Sequence, residues 1–511
     1  MSSRPRRLQP LDRLSLSLMV LLGVIIAVLV TFGQGAAARV REFSWADQNV
    51  SAADEAFLLT FSRPMERDSV EQNLIIAPPL PGKFSWAGRR MAYTLDQPAP
   101  YGENFEISLP QASDRFEPEA GNFEAFSSAF KTRDRAFAYI GVEGENQGRL
   151  VLYNFTQQTE TPLTPTDWVV LDFEPYPDGS RILFSATDYQ SYQTNTKNQS
   201  LYTVTTGLGL SKSKSNTKSW WQAWKTDPPK MAGQIEPILG SIDYQNLKFD
   251  LSPNGQTIVV QRISQTDPND FGPWVLPEGA PPRRLETEPG GDFIIAPDSQ
   301  SLLLQQGQGT AVIALTETAD ESAGETLDFL PEYGLVLDVA DDGSAAAMVS
   351  FNQDDPEKRY TQSLFWVSNQ GEEKPLLNAT GAILDAQFDP THQLIYCLIS
   401  QLLPGETYQV QPYLIAVNTD TGELYDLLAL PPQPSARMSL SPDGLAVLYD
   451  ETVEVTTSAN PIRTSDGRTI ETGKLWLVPL FQTQQSRLNN QPNPAEPETL
   501  PFPGLSPTWM P

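Results

Sequence analysis

Side chains that could catalyse a reaction or bind a metal are few in this chain. It has one histidine, His392, and one cysteine, Cys397. A nucleophile–histidine arrangement would have to use His392, which stands at a tight turn, and metal sites built on His or Cys are excluded by number. The adjacent carboxylates at 341–342, 354–355 and 372–373 are typical of solvated turns. Calcium binding among the acidic loops stays open, although no spacing of the EF-hand type is present. The sequence therefore predicts no catalytic site, no cofactor and no metal.

A lysine- and tryptophan-rich insertion, residues 208–234, is the strongest candidate contact surface. Its net charge is +4 within a chain of net charge −28. Tryptophan combined with lysine suits a membrane interface or an anionic polymer. The alternative is that the tryptophans pack the insertion onto neighbouring strands, because exposed tryptophan is costly. The candidate contact residues are Lys212, Lys214, Lys218, Trp220, Trp221 and Trp224.

Charge excludes one class of partner. Residues 1–38 hold four arginines and one aspartate, a net +3, so the remaining chain carries −31. Such a surface repels nucleic acid and anionic lipid, and it keeps a large β protein soluble. We therefore expect no nucleic-acid partner.

The N-terminal region predicts a membrane anchor. Residues 14–32 are 19 residues without a charge, close to the roughly 20 apolar residues that cross a bilayer as a helix. Residues 1–13 contain four arginines, so they form a basic segment expected to stay in the cytoplasm. We expect a single-pass plasma (inner) membrane protein whose bulk is periplasmic or extracellular. The alternative is a signal peptide cleaved near the small residues 36–38, which would leave a secreted protein.

A short phrase recurs six times along the chain: an apolar strand, a turn with left-handed Asp-Gly or Asn-Gly positions, and a second apolar strand. The turns are separated by 76, 44, 44, 49 and 52 residues. A repeat of about 40–50 residues with several short strands in each unit is typical of an all-β fold of the β-propeller type. The turns begin at Pro177, Pro253, Pro297, Asp341, Pro390 and Pro442.

Two copies of the turn link the chain to a known family. Ser252-Pro253-Asn254-Gly255 and Ser441-Pro442-Asp443-Gly444 resemble the repeat of TolB-like propellers, a resemblance that spans residues 133–511 and implies a scaffold. The copies at 341 and 390 depart from the pattern. After residue 133 the chain begins with three strands that lack a preceding first strand, and residues 504–510 resemble that missing strand. We therefore expect a seven-bladed propeller closed by the C-terminal strand; a six-bladed ring with a loose tail is the alternative.

Residues 40–132 predict a small β-sandwich ahead of the propeller. The phrase Phe61-Ser62-Arg63-Pro64-Met65, and Tyr101-Gly102 before a late strand, resemble the bacterial Ig-like domain of the S-layer SbsA type. This resemblance implies a spacer or adhesive module. The strands are expected at 56–61, 74–77, 83–86, 91–95, 104–109 and 123–130.

The connections predict where function lies. Several loops between the second and third strands of a repeat are long and polar, and in a propeller they share one face. Their polarity suits a polar or glycan-like ligand, whereas neutral drift at exposed tips is the alternative. We expect a membrane-anchored binding or scaffold protein whose partner is a protein or an envelope polymer; the rival is a propeller enzyme acting on glycans through carboxylates at the channel mouth. These loops are expected at 188–198, 264–272, 352–361, 401–410 and 452–473.

Overall fold

The fold is all-β, with 52% of residues in strands and 7% in helices. The computed structural model describes residues 15, 17–26, 37–116, 123–194, 198–208, 231–316, 322–353, 355–403, 409–433, 435–454, 462–463 and 469–511. Residues 15 and 17–26 of the N-terminal apolar run are helical. Within the described ranges, no helix is both long enough and apolar enough to cross a membrane.

The chain divides into two compact units. The first consists of Met1–Asp47, Ala56–Leu95 and Asn104–Phe130, and the second of Gln48–Glu55, Asp96–Glu103 and Lys131–Pro511. Short helices in the described residues are Arg67–Asn73, Tyr189–Gln193 and Gln484–Leu488, with a 3-10 turn at Gly144–Asn146.

Two four-stranded sheets account for the N-terminal strands, with the orders β1-β3-β6-β5 and β2-β8-β7-β4. Residues alternate between buried and exposed along β3, β6 and β7, as expected for sheets that are covered on one face. In the first unit, the Trp45 ring contacts Phe57 and Phe130 at centroid distances of 5.3 Å and 5.1 Å. The strands are β1 Val40–Phe43, β2 Asn49–Val50, β3 Ala56–Phe61, β4 Ile75–Ala77, β5 Gly82–Ala87, β6 Arg90–Leu95, β7 Asn104–Leu109 and β8 Phe126–Thr132.

Five sheets of the second unit have four antiparallel strands each, taken in chain order. They are β12 Trp168–Pro175, β13 Arg181–Asp188, β14 Ser200–Thr205 and β15 Ile235–Leu239; β16 Tyr244–Leu251, β17 Thr257–Ser264, β18 Phe271–Pro277 and β19 Arg283–Arg284; β20 Phe293–Ile295, β21 Ser301–Gln306, β22 Gly309–Ala314 and β23 Thr326–Leu330; β24 Leu335–Val339, β25 Ala345–Ser350, β26 Gln362–Ser368 and β27 Glu373–Ala379; β28 Ile383–Phe388, β29 Leu394–Leu402, β30 Val410–Asn418 and β31 Leu424–Ala429.

The remaining strands of this unit form one larger sheet of order β11-β10-β9-β36-β35-β33-β32, in which β34 also pairs with β35. The prediction of a loop over 452–473 is wrong in part, because β33 and β35 extend into this range and β34 lies within it. The strands are β9 Ala136–Gly141, β10 Leu150–Asn154, β11 Thr159–Pro162, β32 Met438–Leu440, β33 Ala446–Glu454, β34 Ile462–Arg463, β35 Thr469–Pro479 and β36 Glu498–Trp509.

Burial of the strands follows their place in each sheet. The second strands are apolar on both faces and almost wholly buried; β29, for example, has seven consecutive buried residues. Such strands suit a sheet packed between two others. The first strands contact one another in succession, β16 with β20, β20 with β24, β24 with β28 and β28 with β32. We call β12, β16, β20, β24, β28, β32 and residues 504–509 of β36 the inner strands.

The six repeated turns join a first strand to a second. In each turn only the third residue is left-handed, with φ between 58° and 70°. These hairpins are therefore type I turns followed by one left-handed residue, and not turns with two left-handed positions as expected. The serine of the motif stabilises the turn, because Ser252 Oγ accepts a hydrogen bond from Thr257 N–H (2.8 Å) and Ser441 Oγ accepts one from Ala446 N–H (3.0 Å).

Strand β36 belongs to two sets of strands at once. Its first half pairs with β35, Thr499 opposite Trp476, and its second half pairs with β9, Leu505 opposite Ile140 and Trp509 opposite Phe137. The C-terminal strand thus lies beside β9, in the position predicted for it. Gly504 permits the crossing, because a Cβ there would lie 2.5 Å from a ring carbon of Tyr139.

Candidate functional site

A regular set of hydrogen bonds joins successive inner strands. At the third residue before five of the six turns, a side-chain oxygen accepts a hydrogen bond from a backbone N–H of the next inner strand. The bonds are Leu251 N–H to Glu174 Oε2 (3.0 Å), Ile295 N–H to Asp250 Oδ2 (2.5 Å), Phe388 N–H to Asp338 Oδ2 (2.7 Å), Leu440 N–H to Gln387 Oε1 (2.8 Å) and Trp509 N–H to Ser439 Oγ (3.1 Å). These side chains hold one sheet to the next.

The set has two gaps with plain chemical causes. Ile294 occupies the equivalent position in β20 and has no oxygen to offer the next strand. Thr508 occupies it in β36, but the matching residue of β12 is Pro175, which has no N–H to donate. The links therefore run from β12 to β20 and from β24 to β36.

Charged side chains of both signs gather on the inner strands. Lys248 pairs with Asp292, and Arg437 Nη1 lies 4.0 Å from Asp172 Oδ1. The backbone N–H of Arg437 also donates a hydrogen bond to Asp450 Oδ1 at 2.7 Å. Two ion pairs thus accompany the acidic side chains near the inner strands.

Glu174 and Asp250 form a carboxyl–carboxylate pair across β12 and β16. Burial raises the pKa of both, and the charge of Asp250 raises the pKa of Glu174 further. A side-chain hydrogen bond with Glu174 partly offsets the rise in the pKa of Asp250. Burial also raises the pKa of Asp338 to about 7 and that of Asp385 to about 6.

The chemistry open to this cluster is limited. Two carboxyl groups in direct hydrogen-bond contact are closer than the roughly 5–5.5 Å spacing of retaining glycosidases. Each side-chain oxygen that accepts a hydrogen bond from a backbone N–H also helps to join one inner strand to the next. Among the residues the structure describes, no group of three or more His, Cys, Asp or Glu side chains is placed to bind a metal.

A cavity of about 440 Å³ opens at the end of the β12–β15 and β16–β19 sheets that lies opposite the tight turns. A small-molecule site occupies roughly 300–1,000 Å³, so the volume is sufficient for a ligand. The short helix Tyr189–Gln193 borders it, because Asp188 Oδ1 accepts a hydrogen bond from Ser191 N–H (2.8 Å). The lining residues are Trp168, Ala186, Thr187, Asp188, Asn198, Ser200, Tyr202, Ser241, Ile242 and Gln265.

Two further contacts fix the cavity wall. Gln265 Nε2 donates to the Ser241 carbonyl at 2.6 Å, and the hydroxyls of Ser200 and Ser241 are 3.3 Å apart. The rings of Trp168 and Tyr202 lie against each other with centroids 4.5 Å apart. The wall therefore combines an aromatic pair with amides, hydroxyls and one carboxylate.

The predicted contact residues of the lysine- and tryptophan-rich insertion are not described by the structure. Lys212, Lys214, Lys218, Trp220, Trp221 and Trp224 lie outside the described residues, so their role as a contact surface stays a prediction.

The remaining single residues have structural surroundings. His392 sits at its turn with Nδ1 3.6 Å from Asp342 Oδ2, and Cys397 is buried within β29. Asp341 and Asp342 are exposed turn residues, and Glu372 and Glu373 are exposed at the start of β27. None of these is part of the cavity wall.

The sequence analysis predicted neither the inner-strand carboxylates nor the cavity, although the carboxylates have a recognisable spacing in the sequence. Glu174, Asp250 and Asp338 each stand three residues before a repeated turn, which is a fixed offset. The cavity has no comparable signal, because its wall comes from five separate segments.

Comparison with known proteins adds weak structural similarities. No family model and no curated protein matches the chain. TolB from Acinetobacter baumannii is 11% identical over 86% of this chain and 83% of its own, with a TM-score of 0.38. An oligogalacturonate lyase from Vibrio parahaemolyticus is 9% identical over 68% of this chain and 92% of its own (TM-score 0.39), and prolyl oligopeptidase B from Galerina marginata is 8% identical over 83% and 51% (TM-score 0.40). At these values we draw no functional conclusion from them.

Proposed function

We propose that this chain is a membrane-anchored, exported binding protein without catalytic activity. Its propeller presents a ligand surface to a protein or envelope polymer, and an Ig-like module of the SbsA type serves as a spacer. The observation that carries the proposal is the cavity between the β12–β15 and β16–β19 sheets, because its wall combines strand ends and loops at the end of the sheets opposite the tight turns.

Seven blades are part of the proposal. Five sheets have four strands each, and the larger sheet divides naturally into two further blades. In that division, β9, β10 and β11 take residues 504–509 as their inner strand, while β32, β33 and β35 take residues 498–503 as their outer strand. A strand shared in this way joins the two blades into one hydrogen-bonded sheet.

The inner carboxylates support a structural role over a catalytic one. Glu174, Asp250 and Asp338 each accept a backbone N–H from the next inner strand, so moving them would disturb the fold. A catalytic carboxylate needs at least one oxygen directed at substrate.

Membrane attachment is supported by the sequence of residues 1–32. The basic segment 1–13 and the uncharged run 14–32 suit a signal anchor with a cytoplasmic N-terminus. Intact mass of the mature protein distinguishes the two cases: a retained anchor keeps residues 14–32, and a cleaved signal peptide removes them. Release of the full-length protein by alkaline extraction would contradict anchoring.

Site-specific photo-crosslinking in cells tests the binding role. A photoreactive residue at Ile242, which is 89% exposed on the cavity wall, should give a discrete crosslinked product. Asp420 is the matched control, because it is exposed in the turn between β30 and β31, at the opposite end of the strands. Identical crosslinking from both positions would contradict a specific surface.

A second candidate function is glycan cleavage by the pair Glu174–Asp250. The observation in its favour is the raised pKa of both carboxyl groups, which is common at functional sites. Incubating the full-length protein and its Glu174→Gln variant with soluble cell-envelope glycans tests it. Turnover that the variant lacks would favour the enzyme, and no turnover from either protein would favour binding.

A further inference from the structure

Neighbouring sheets present the same aromatic pair at the same place. Trp168 begins β12 and contacts Tyr202 of β14; Tyr244 begins β16 and contacts Trp274 of β18, with ring centroids 5.1 Å apart. Strand pairing confirms the equivalence, since Tyr202 lies opposite Phe184 and Trp274 lies opposite Val260.

In the β16–β19 sheet, an arginine of the chain itself occupies the space beside the rings. The Arg262 guanidinium carbon lies 4.8 Å from the Tyr244 ring centroid and 5.0 Å from that of Trp274. Its Nε donates to Asn246 Oδ1 (2.9 Å) and its Nη2 to the Gly240 carbonyl (3.2 Å), and the residue is 7% exposed. This surrounding is suited to a guanidinium, which aromatic faces attract.

In the β12–β15 sheet, the equivalent residue is Ala186. Arg262 lies opposite Asn246 in its strand pair, and Ala186 lies opposite Val170 at the matching register position. Alanine leaves the space beside Trp168 and Tyr202 unfilled, and Ala186 lines the cavity there. The cavity thus takes the place that a guanidinium fills in the next sheet.

The rest of the wall suits a cation. Asp188 places a carboxylate on the wall, and hydrogen bonds from Ser191 lower its pKa, so it is charged at neutral pH. Among the described residues that line the cavity, none is a lysine or an arginine.

We propose that this cavity binds the guanidinium of an arginine side chain from a basic partner segment. The site rests on the proposed binding function and names the chemistry of its partner. The guanidinium stacks beside Trp168 and Tyr202 and pairs with Asp188. The net charge of −28 draws a basic segment toward the protein.

Binding of Nα-acetyl-arginine amide to the full-length protein, followed by ligand-observed NMR, tests the site. The neutral isostere Nα-acetyl-citrulline amide is the matched ligand, and cellobiose represents a neutral saccharide. We expect arginine amide to bind, citrulline amide to bind at least about fivefold more weakly, and high salt to weaken the arginine complex, since ion-pair and cation–π attraction are lost without the charge. Equal binding of the two amides, or displacement of arginine amide by cellobiose, would overturn the proposal.

Two variants locate the effect. Ala186→Arg should fill the cavity as Arg262 fills its own site and should abolish binding. Asp188→Asn keeps a good helix N-cap but removes the charge, and should weaken arginine binding at least about fivefold. If Ala186→Arg does not fold, Asp188→Asn alone still tests the site. Unchanged affinity in the folded variants would refute the site, whereas crosslinking from Ile242 that persists in them would leave the broader binding function standing.

Discussion

Removing residues 504–511 should destabilise the second unit strongly. This segment supplies the inner strand beside β9 and carries three buried side chains, Leu505, Trp509 and Met510, which are 3%, 5% and 1% exposed. Burying one such side chain contributes about 1.5–3 kcal/mol, so the three together contribute about 5–9 kcal/mol. That is comparable with the whole unfolding free energy of many domains, about 5–15 kcal/mol.

The size of the expected thermal shift follows from the length of the unit. An unfolding entropy of about 2.1 cal/mol/K per residue gives roughly 0.8 kcal/mol/K for about 380 residues. A loss of about 5–9 kcal/mol then lowers Tm by about 6–11 °C, measured by differential scanning calorimetry of the detergent-solubilised protein.

Controls separate this effect from general damage. Trp509→Ala alone should cost about 3–5 kcal/mol, whereas Leu424→Ala, at a side chain that is 52% exposed, should change the unfolding free energy by less than about 0.5 kcal/mol. A synthetic peptide of residues 498–511 added to the truncated protein should restore part of the lost Tm. A truncated protein that melts within about 1 °C of the full chain would refute the role assigned to β36.

The other predictions concern charge, backbone conformation and the insertion. The pKa of Asp338 is raised to about 7 from its usual 3.8, so the folded state holds the proton more tightly and its stability falls as pH rises from about 4 to about 7. In urea unfolding, Asp338→Asn should therefore raise the free energy of unfolding by about 1–2 kcal/mol at pH 8 and leave it unchanged at pH 4. An equal gain at both pH values would contradict this reasoning. His392 has φ of 58°, so His392→Gly should raise the urea midpoint by an amount equivalent to about 1 kcal/mol, and a lower midpoint would show that the contact with Asp342 outweighs the strain. Replacing Trp220, Trp221 and Trp224 with alanine should reduce sedimentation with liposomes or cell walls if the insertion is a contact surface, and unchanged sedimentation would exclude it.

Much of the architecture was readable from local patterns. The turns at 177, 253, 297, 341, 390 and 442 all join a first strand to a second, because Pro-Asp-Gly and its variants specify a hairpin through contacts within six residues. Continuous apolar runs predicted the doubly covered second strands. The expectation of two left-handed residues in each turn was wrong, since the choice between hairpin turn types depends on the register of the strands that follow.

The helix Arg67–Asn73, the short strand β34 and the ends of β33 and β35 that fall within 452–473 were not predicted. Neither segment has a strong period of its own, and pairing partners elsewhere decide the outcome for β33, β34 and β35. Local propensity is a weak guide where tertiary contacts determine the conformation.

By itself the sequence determined the repeat, the turns and the C-terminal segment that completes the first set of strands, because each depends on short-range chemistry or on counting. Only the tertiary structure decided what the inner carboxylates do and where a ligand could bind. Glu174 and Asp250 meet across two sheets, and the cavity beside Trp168 exists because Ala186 stands where the next sheet has Arg262. These juxtapositions join residues far apart in the chain, and the spacing of residue types within one repeat carries no record of them.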